Sequence, residues 1–549
     1  MTSASTPYRT VPTETTGMPR GIPFIIGNEA AERFSFYGMK AILATFMTQY
    51  LMNAAGESAY LTDAQAREYV HLFVFSAYFF PVLGALVSDI FLGKYRTIIL
   101  LSVVYCLGHL ALALIDMPGW FLSATMEPKG WLVAGLFLIA LGSGGIKPCV
   151  SAHVGDQFGT SNSHLMARVF GWFYFSINFG SFFSTLLTPW LLKHHGPGWA
   201  FGIPGILMAL ATLVFWLGRH RFIHVPPRGM GFVREAFSPE GLGAIARLAM
   251  IYAFVAVFWS LYDQSGSAWV LQAGQMDRKF LGITWLESQI QAINPLLILL
   301  YIPLFSYVIY PVVGRVVKLT PLRKIGAGLF LCVAAFGISA VAQQRIDVAQ
   351  AAFADKVGPM VAFDSIDYDR TAEELRKIER NATVKAIEDL RKSQTISDTA
   401  WQDKMKAALA GGGIAIEKPA KAAVGSPDAA EVRHDAEWPS FGWQIVAYLV
   451  LTAAEVLVSI TCLEFSYTQA PKRMKSFIMS LYLLSVAAGN LITALVNRFT
   501  QDEAGNSTLV GADYYWFFVK MMAVAAVVYV VASLLYREKT YLQDESGAH

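Results

Sequence analysis

Long apolar runs, separated by short polar or glycine- and proline-containing breaks, fill nearly the whole chain. A helix of about 20 apolar residues crosses the hydrocarbon core of a membrane, and about twelve of these runs reach that length. Six of them precede a polar break at residues 218–245, and six follow it. The pattern predicts an all-α membrane protein with 12 transmembrane helices in two six-helix bundles.

A hydrophilic insert interrupts the second set of runs. Of the 83 charged residues in the chain, 31 lie between Arg345 and Glu437. Residues 370–408 are charged and alanine-rich, as in a solvated helix, whereas 409–438 are typical of a linker. Because no clear apolar core is evident, the insert is expected to be an accessory rather than a receptor or docking module. The predicted domains are an N-terminal bundle over 1–217, a linker over 218–245, a C-terminal bundle over 246–343 and 439–549, and the insert over 344–438.

The composition agrees with this pattern and excludes several classes of protein. Charged residues make up 15% of the 549 residues, against about 25% in soluble domains, and hydrophobic residues make up 55%. The mean hydropathy of +0.44 excludes a soluble enzyme, a disordered regulator and a nucleic-acid-binding protein. A net charge of +3 is too small to indicate a polyanionic partner. The four cysteines have no metal-ligand spacing, so neither a metal nor another cofactor is expected.

The distribution of basic residues predicts the orientation in the membrane. Lys and Arg are roughly three times as frequent in the loops on the side of the two termini as in the opposite short loops. Both termini are therefore expected in the cytoplasm and the insert outside, with the protein in the plasma membrane, which is the inner membrane of a bacterium. The polar first twenty residues predict no cleaved signal peptide.

The first apolar run carries a stripe of ionisable residues. Glu29, Glu32 and Arg33 stand at i, i+3 and i+4, and Tyr37 and Lys40 continue the same helix face. Because one guanidinium cannot fully compensate two carboxylates, one carboxylate is a candidate proton carrier. Alternatively, these groups cap the helix end in the headgroup zone. The spacing leaves both interpretations open.

Other ionisable residues lie inside apolar runs, where an unpaired charge is costly. His71 and Asp263 belong to opposite halves of the chain and would make a proton relay, although a lone membrane histidine is often only structural. A buried ammonium at Lys147 needs an acidic partner or an anionic ligand, and Glu464 is a plausible partner. Glu455 is a second acid in the same run.

Further polar residues have two possible roles each. Asp89 ends the second run at a tight basic turn, which suits a conformational gate, and Arg96 and Arg247 are assigned to the same gating group. Polar side chains on otherwise apolar runs bind a ligand or hold helices together. They are Tyr78, Tyr174, Asn178 and Asn294.

Four segments together resemble the proton-dependent oligopeptide transporter family of the major facilitator superfamily. EAAERFSFYG at 29–38 is similar to the family signature ExxERFxYYG, with Phe36 replacing one tyrosine. FYFSINFGS at 173–181 matches its FYxxINxGS signature. Residues 84–98 resemble its motif between the second and third spans, and EFSYTQAP at 464–471 resembles its tenth-span motif. The resemblance implies the major facilitator fold and covers nearly the whole chain except the insert.

The family imports di- and tripeptides with protons, and the resemblance implies the following roles. Lys40 and Lys147 hold the peptide carboxylate, and Glu464 holds its ammonium. Asn178 and Asn294 bind the peptide backbone, and four aromatic residues line the pocket, namely Tyr37, Tyr78, Tyr174 and Trp259. Proton coupling is assigned to Glu29, Glu32, Arg33, His71 and Asp263.

Two departures from the family pattern matter. Lys40 stands where most members have arginine and cannot form a bidentate fork, so its grip on a carboxylate is expected to be looser. Asp263 stands where many bacterial members have glutamate. The pairing of His71 with Asp263 and the large insert are more similar to the animal peptide transporters.

The resulting hypothesis is a proton-coupled peptide symporter that works by alternating access. Lys40–Asp263 is the expected outer gate and Lys147–Glu464 the expected inner gate. Expected partners are protons, peptides and membrane lipid, with no nucleic acid and with a monomer as the transport unit. The alternative is a proton-coupled transporter of nitrate or another small anionic solute. Nothing on the loops indicates a membrane enzyme.

Overall fold

The chain folds almost entirely into helices in the computed structural model, which describes residues 8–12, 15–116, 125–227, 229, 238–364, 368–377, 380–393, 399–413, 438–469, 475–503 and 505–536. These residues form two compact units. One contains residues 1–340 and 440–549 and is called the membrane unit here, and the other contains residues 341–439 and is called the insert. The sheet among the described residues is a hairpin of Lys279–Phe280 (β1) and Ile283–Thr284 (β2).

The first half of the membrane unit consists of five long helices. They are α1 (Ile22–Gln49), α2 (Asp63–Val87), α3 (Lys94–Ala113), α4 (Pro128–Asp156) and α5 (Met166–Leu217). A π-turn at Ser88–Leu92 extends α2, and 3₁₀ turns occur at Leu114–Asp116, Thr160–Leu165 and Gly218–His220.

The long helix α5 is two membrane-length helices that meet at Gly196. This glycine has a φ of 80°, a conformation that other L-residues rarely adopt. A Cβ atom there would also lie 2.8 Å from Oδ2 of Asp116, the oxygen that accepts a hydrogen bond from Gly198 N at 3.3 Å. The sequence therefore turns back at Gly196 and supplies the fifth and sixth membrane crossings.

The second half of the membrane unit is built from shorter helical pieces. They are α6 (Pro239–Tyr262), α7 (Ala268–Gly274), α8 (Ile293–Leu304), α9 (Tyr310–Gly314), α10 (Pro321–Asp364), α14 (Gly442–Glu455), α15 (Thr461–Gln469), α16 (Lys475–Phe499) and α17 (Ala512–Leu535). The 3₁₀ turns Asp263–Gly266 and Glu287–Ala292 and the π-turns Phe305–Ile309 and Val456–Ile460 connect several of them into longer crossings. The helix α6 begins at Pro239, earlier than the predicted domain boundary at 246.

Twelve crossings can be traced through the described residues. Ten stretches are long and apolar enough to cross a membrane, and one of them, Arg168–His220, contains both parts of α5. The helix α1 has membrane length as well but carries four charged residues. Six crossings lie on each side of the break between α5 and α6.

Each half of the membrane unit has its own apolar core. One core contains residues between Ile22 and Phe222, and the other contains residues between Leu248 and Tyr536. We call these halves the first and second bundles. Glycines permit very close packing inside the first bundle, since a Cβ on Gly84 of α2 would lie 2.4 Å from Cα of Gly145 on α4.

The insert contains the part of α10 from residue 341 onward and three short helices with an apolar core. The helices are α11 (Tyr368–Lys377), α12 (Asn381–Ser393) and α13 (Thr399–Gly411). Leu375, Ile387, Trp401 and Met405 are buried together, and Trp401 donates a hydrogen bond from Nε1 to Leu390 O at 2.8 Å. The prediction that the insert lacks an apolar core was wrong, because its few apolar residues are spread over three charged helices. Most of the predicted linker, residues 414–437, lies outside the described residues.

Candidate functional site

A cavity of about 310 Å³ lies between the two bundles. Helices α1, α2 and α5 line it from the first bundle, and α6, α8 and α14 line it from the second. Its volume is at the lower end of the range of roughly 300–1,000 Å³ found for small-molecule sites. The cavity is therefore suited to a small solute that contacts both bundles at once.

Seven of the nine predicted substrate-binding residues line this cavity. They are Tyr37, Lys40, Tyr78, Tyr174, Asn178, Trp259 and Asn294. Trp259 Nε1 is buried and donates to no described acceptor, so it is a spare hydrogen-bond donor in the wall. The remaining two predicted residues, Lys147 and Glu464, do not line the cavity.

Lys147 lies behind the aromatic wall of the cavity. Its ammonium nitrogen is 4.0 Å from the ring centre of Phe36 and 4.4 Å from that of Tyr78. It has no hydrogen-bond partner among the described residues. Cation–π contacts therefore hold this lysine, one of them with Tyr78, which lines the cavity.

Lys147 and Glu464 form no ion pair in this structure, so the expected inner gate is not closed here. The side chain of Glu464 is exposed on α15, and it forms no ion pair with the described part of the chain. Glu464 follows Glu455 by nine residues, and the π-turn Val456–Ile460 lies between them. Glu455 is the acid of this crossing that lines the cavity.

Glu455 is thus a site residue to which the sequence reasoning gave no role. It accepts a hydrogen bond from Asn294 Nδ2 at 2.7 Å, and the same amide nitrogen is 3.2 Å from Thr452 Oγ1. Asn294, predicted to bind peptide backbone, holds this carboxylate in place here. The position of Glu455 in the sequence could have indicated this role, because Glu455 lies in the middle of an apolar run and Glu464 near its polar end.

An ion pair joins the two bundles beside the cavity. Lys40 Nζ lies 2.9 Å from Asp263 Oδ1, and both side chains are mostly buried. This is the contact that the sequence reasoning assigned to an outer gate. The observed contact supplies the geometry for that role.

His71 reaches Asp263 through an amide rather than directly. His71 Nδ1 lies 2.8 Å from Asn490 Oδ1, and Asn490 Nδ2 donates to Asp263 Oδ2 at 2.7 Å. The other ring nitrogen, Nε2, lies 2.9 Å from Ser267 Oγ. The pairing of His71 with Asp263 is therefore indirect, because Asn490 lies between them. Asn490 is a polar residue inside the apolar run of α16, and this position could have indicated its role from the sequence.

The stripe on α1 is packed inside the first bundle. Arg33 Nε lies 2.6 Å from Glu29 Oε1 and 3.2 Å from Glu32 Oε2, and all three residues are buried. Gly180 of α5 approaches α1 so closely here that a Cβ on it would lie 2.6 Å from the carbonyl oxygen of Ala30. Such burial does not fit the alternative of a helix cap in the headgroup zone.

The predicted gating residues are not brought together. Asp89 lies in the π-turn after α2, where its carbonyl oxygen accepts a hydrogen bond from Gly229 N at 3.3 Å. Neither Arg96 nor Arg247 forms an ion pair with a described residue. At the basic turn the ion pair is Lys94 with Asp156, at 2.6 Å.

Hydrogen bonds between the bundles close one end of the membrane unit. We call the end with the turns at 50–62 and 505–511 the distal end, because it is opposite the start of α1 at Ile22 and the end of α17 at Leu535. Thr45 Oγ1 lies 2.8 Å from Ser288 Oγ there, and Gln501 Nε2 donates to Glu68 Oε2 at 2.9 Å. The structure is therefore a conformation in which the cavity is closed toward the distal end.

Comparison with known proteins gives consistent matches over most of the chain. A sequence model of the POT family matches residues 95–239, 238–366 and 418–517. The Drosophila melanogaster protein "Peptide transporter family 1" is 30% identical, over 96% of this chain and 89% of that protein. Human "Solute carrier family 15 member 1" is 28% identical, over 96% of this chain and 94% of that protein.

Solved structures agree with these matches. The crystal structure of the POT family transporter PepTSo is 32% identical, with a TM-score of 0.69, over 95% of this chain and 99% of that one. The predicted all-helical fold with 12 membrane crossings is confirmed by this similarity and by the observed helices.

Proposed function

Because the chain belongs to the POT family of transporters, and is a multi-pass membrane protein rather than an enzyme, we propose that it imports di- and tripeptides together with protons. One observation carries the proposal. The cavity places the ammonium of Lys40, from the first bundle, and the carboxylate of Glu455, from the second, around one space. A peptide is a zwitterion that presents two fixed opposite charges, and these two groups complement it.

The rest of the wall suits a peptide backbone. Asn178 and Trp259 line the cavity, and tyrosines 37, 78 and 174 supply apolar surface with polar tips. None of these groups is specific for a particular side chain of the peptide, so we expect broad specificity among short peptides. The proposal gives the ammonium-binding role to Glu455 and withdraws it from Glu464.

Proton coupling is proposed to act through the Lys40–Asp263 pair. Asp263 neutralises Lys40 in this conformation, so the lysine has no full charge to offer a peptide carboxylate. Protonation of Asp263 would remove that partner and free Lys40, and Asn490, hydrogen-bonded to both His71 and Asp263, couples the carboxyl group to the imidazole. Loss of one partner of a buried ion pair typically costs about 3–5 kcal/mol, which is enough to bias a two-state transporter strongly. Glu29, Glu32 and Arg33 form a second buried group of ionisable residues that exchanges partners in the same cycle.

The position of Glu455 also separates the peptide proposal from its alternative. A site for nitrate or another small anion would gain nothing from a carboxylate in its wall, because like charges repel. The proposal further includes a plasma membrane location with both termini in the cytoplasm. The transport unit is a monomer surrounded by lipid.

The decisive experiment is uptake into proteoliposomes. Purified protein is reconstituted, and accumulation of labelled dialanine is followed with an inward proton gradient, without a gradient, and with a gradient plus an uncoupler. Accumulation above equilibrium that needs the gradient and disappears with the uncoupler supports the proposal. Accumulation of nitrate instead of dialanine under the same gradient contradicts it.

A further inference from the structure

Arg67 is a buried cation with an unusual set of partners at the distal end. The residue is 9% exposed, near the start of α2 in the first bundle. Its Nε donates a hydrogen bond to Asn497 Oδ1 at 2.9 Å, and its guanidinium carbon lies 4.2 Å from the ring centre of Tyr514. Asn497 and Tyr514 belong to α16 and α17 of the second bundle, so Arg67 crosses the bundle interface.

The three residues form a closed set of contacts. The amide nitrogen of Asn497 lies 3.2 Å from the hydroxyl of Tyr514, and it also donates to Thr493 O at 2.8 Å. The amide and the ring are thus oriented by contacts inside the second bundle. They present an oxygen acceptor and an electron-rich ring face to the guanidinium together.

No carboxylate of the described chain is within ion-pair distance of Arg67. A buried guanidinium without an acid is held by hydrogen bonding and by the ring quadrupole, both of which act only at close range. These contacts are lost as soon as the bundles separate, and the released guanidinium is then hydrated. Such an arrangement stabilises one conformation without the large cost of breaking a buried ion pair.

We propose that Arg67, Asn497 and Tyr514 form a latch that holds the distal end closed and opens in every transport cycle. The proposal rests on the proposed function, because it assumes a transporter that alternates between two conformations. Contacts made in one conformation alone shift the population toward it. Removing the latch therefore increases the fraction of molecules that are open at the distal end.

The latch can be tested with a cysteine reporter in the same interface. Thr45 is 4% exposed and contacts Ser288 across the bundles, so a cysteine at this position is shielded when the distal end is closed. Thr45→Cys is made in a background in which Cys106, Cys149, Cys332 and Cys462 are replaced by serine or alanine. The rate of alkylation by a membrane-impermeant maleimide is then measured on reconstituted protein without peptide.

Arg67→Met is expected to raise the alkylation rate by at least about fivefold, the effect of losing one desolvated cation–π contact. Arg67→Lys, which keeps the charge, is expected to lie between Arg67→Met and the parent. The matched control is Lys129→Met, which removes a cation 5.7 Å from the Tyr69 ring inside the first bundle alone. This control is expected to leave the rate unchanged.

Coupling between the members of the latch supplies an independent readout. Tyr514→Leu is expected to raise the rate as Arg67→Met does, and the double variant is expected to add little to either change. Should Arg67→Met not fold, Tyr514→Leu alone decides the question. The proposal is overturned when folded Arg67→Met or Tyr514→Leu protein shows the parent rate, or when Lys129→Met gives the same increase.

Failure of the latch and failure of the proposed function are distinguishable. The alkylation assay contains no peptide and no proton gradient, so it reports the conformation alone. Unchanged alkylation with intact dialanine uptake removes the latch and leaves the transport proposal in place. A raised alkylation rate without dialanine uptake supports a gate at the distal end but contradicts the proposal that the protein transports peptides.

Discussion

At the scale of single residues, the direction that an ionisable side chain faces determines whether it can contact a solute in the cavity. Glu455 and Glu464 lie on one membrane crossing, and both are carboxylates in an apolar sequence. Glu455 lines the cavity and binds Asn294, whereas Glu464 is exposed. The two residues therefore form a natural pair of test and control for the peptide ammonium site.

Replacement of Glu455 by Gln is expected to raise the KM for dialanine at least about tenfold, since a hydrogen bond to a charged group contributes about 1.5–3 kcal/mol. Glu464→Gln is expected to stay within about twofold of the parent, because exposed single changes have small effects. Uptake is measured in proteoliposomes for both variants. The same loss in both variants, or in neither, would contradict the role of Glu455.

Asp263→Asn tests the proton-coupled gate. The amide cannot be protonated in the way that the proposal requires, so uptake driven by a proton gradient is expected to be abolished. Peptide counterflow, which needs no gradient, is expected to continue. Asp277→Asn at an exposed position provides the same chemical change as a control. Retained uphill accumulation in Asp263→Asn would remove Asp263 from the coupling mechanism.

The sequence reveals the types of these site residues better than their contacts. Charges in apolar runs are conspicuous, so Lys40, Asp263 and His71 are found without a structure. The intervening role of Asn490 depends on how α16 rotates against α2 and α6, and sequence spacing within one helix contains no such information. The same limit applies to which of Glu455 and Glu464 lines the cavity.

At the scale of helices, the close approach of α2 and α4 depends on glycine. A Cβ atom on Gly84 would meet the backbone of Gly145, which cannot move aside as a flexible side chain could. Gly171 of α5, in contrast, has open space at the position of a Cβ. A comparison of alanine substitutions at Gly84 and Gly171 therefore distinguishes the cost of close helix packing from the general effect of glycine on helix stability.

Gly84→Ala is expected to destabilise the protein by about 1–3 kcal/mol, the usual cost of overpacking. Gly171→Ala is expected to leave stability unchanged or to raise it slightly, because alanine favours helix. Thermal unfolding in detergent, followed by the loss of the monodisperse peak, gives the comparison. Equal melting temperatures for Gly84→Ala and the parent would show that the two helices separate without cost.

The number of crossings was predictable because each needs a long apolar run. The turn at Gly196 follows from a Gly-Pro-Gly sequence between two such runs. The π-turns at Ser88–Leu92, Phe305–Ile309 and Val456–Ile460 were not predicted. They add residues to continuous helices without proline or glycine at a fixed position, so local sequence gives no signal for them.

At the scale of the whole molecule, the insert is a separate unit with its own buried side chains. The described members of its core all lie between Ala372 and Leu409. The sequence predicts an insert over 344–438, and the compact unit contains residues 341–439. Its core was not predicted.

Trp401→Ala is expected to unfold the insert and leave dialanine uptake unchanged. Removal of a buried aromatic side chain typically costs about 3–5 kcal/mol, which exceeds the stability available to three short helices. Limited proteolysis reports the state of the insert, and proteoliposome uptake reports transport. Replacing residues 350–435 by a short Gly/Ser linker is expected to give the same uptake. Loss of uptake in either variant would show that the insert takes part in transport.

The two separate bundle cores also affect how the protein is made. Residues 22–222 bury their apolar side chains mainly against one another, so the first bundle can assemble before the second is synthesised. Lys40 and the tyrosines of the cavity then lie on the surface of the assembled first bundle. The solute site is complete only when the last helices are in place, and Trp259, Tyr482 and Val486 of the second core also line it. Lys40 belongs to neither core, so changes there can alter what is carried while the first bundle assembles as before.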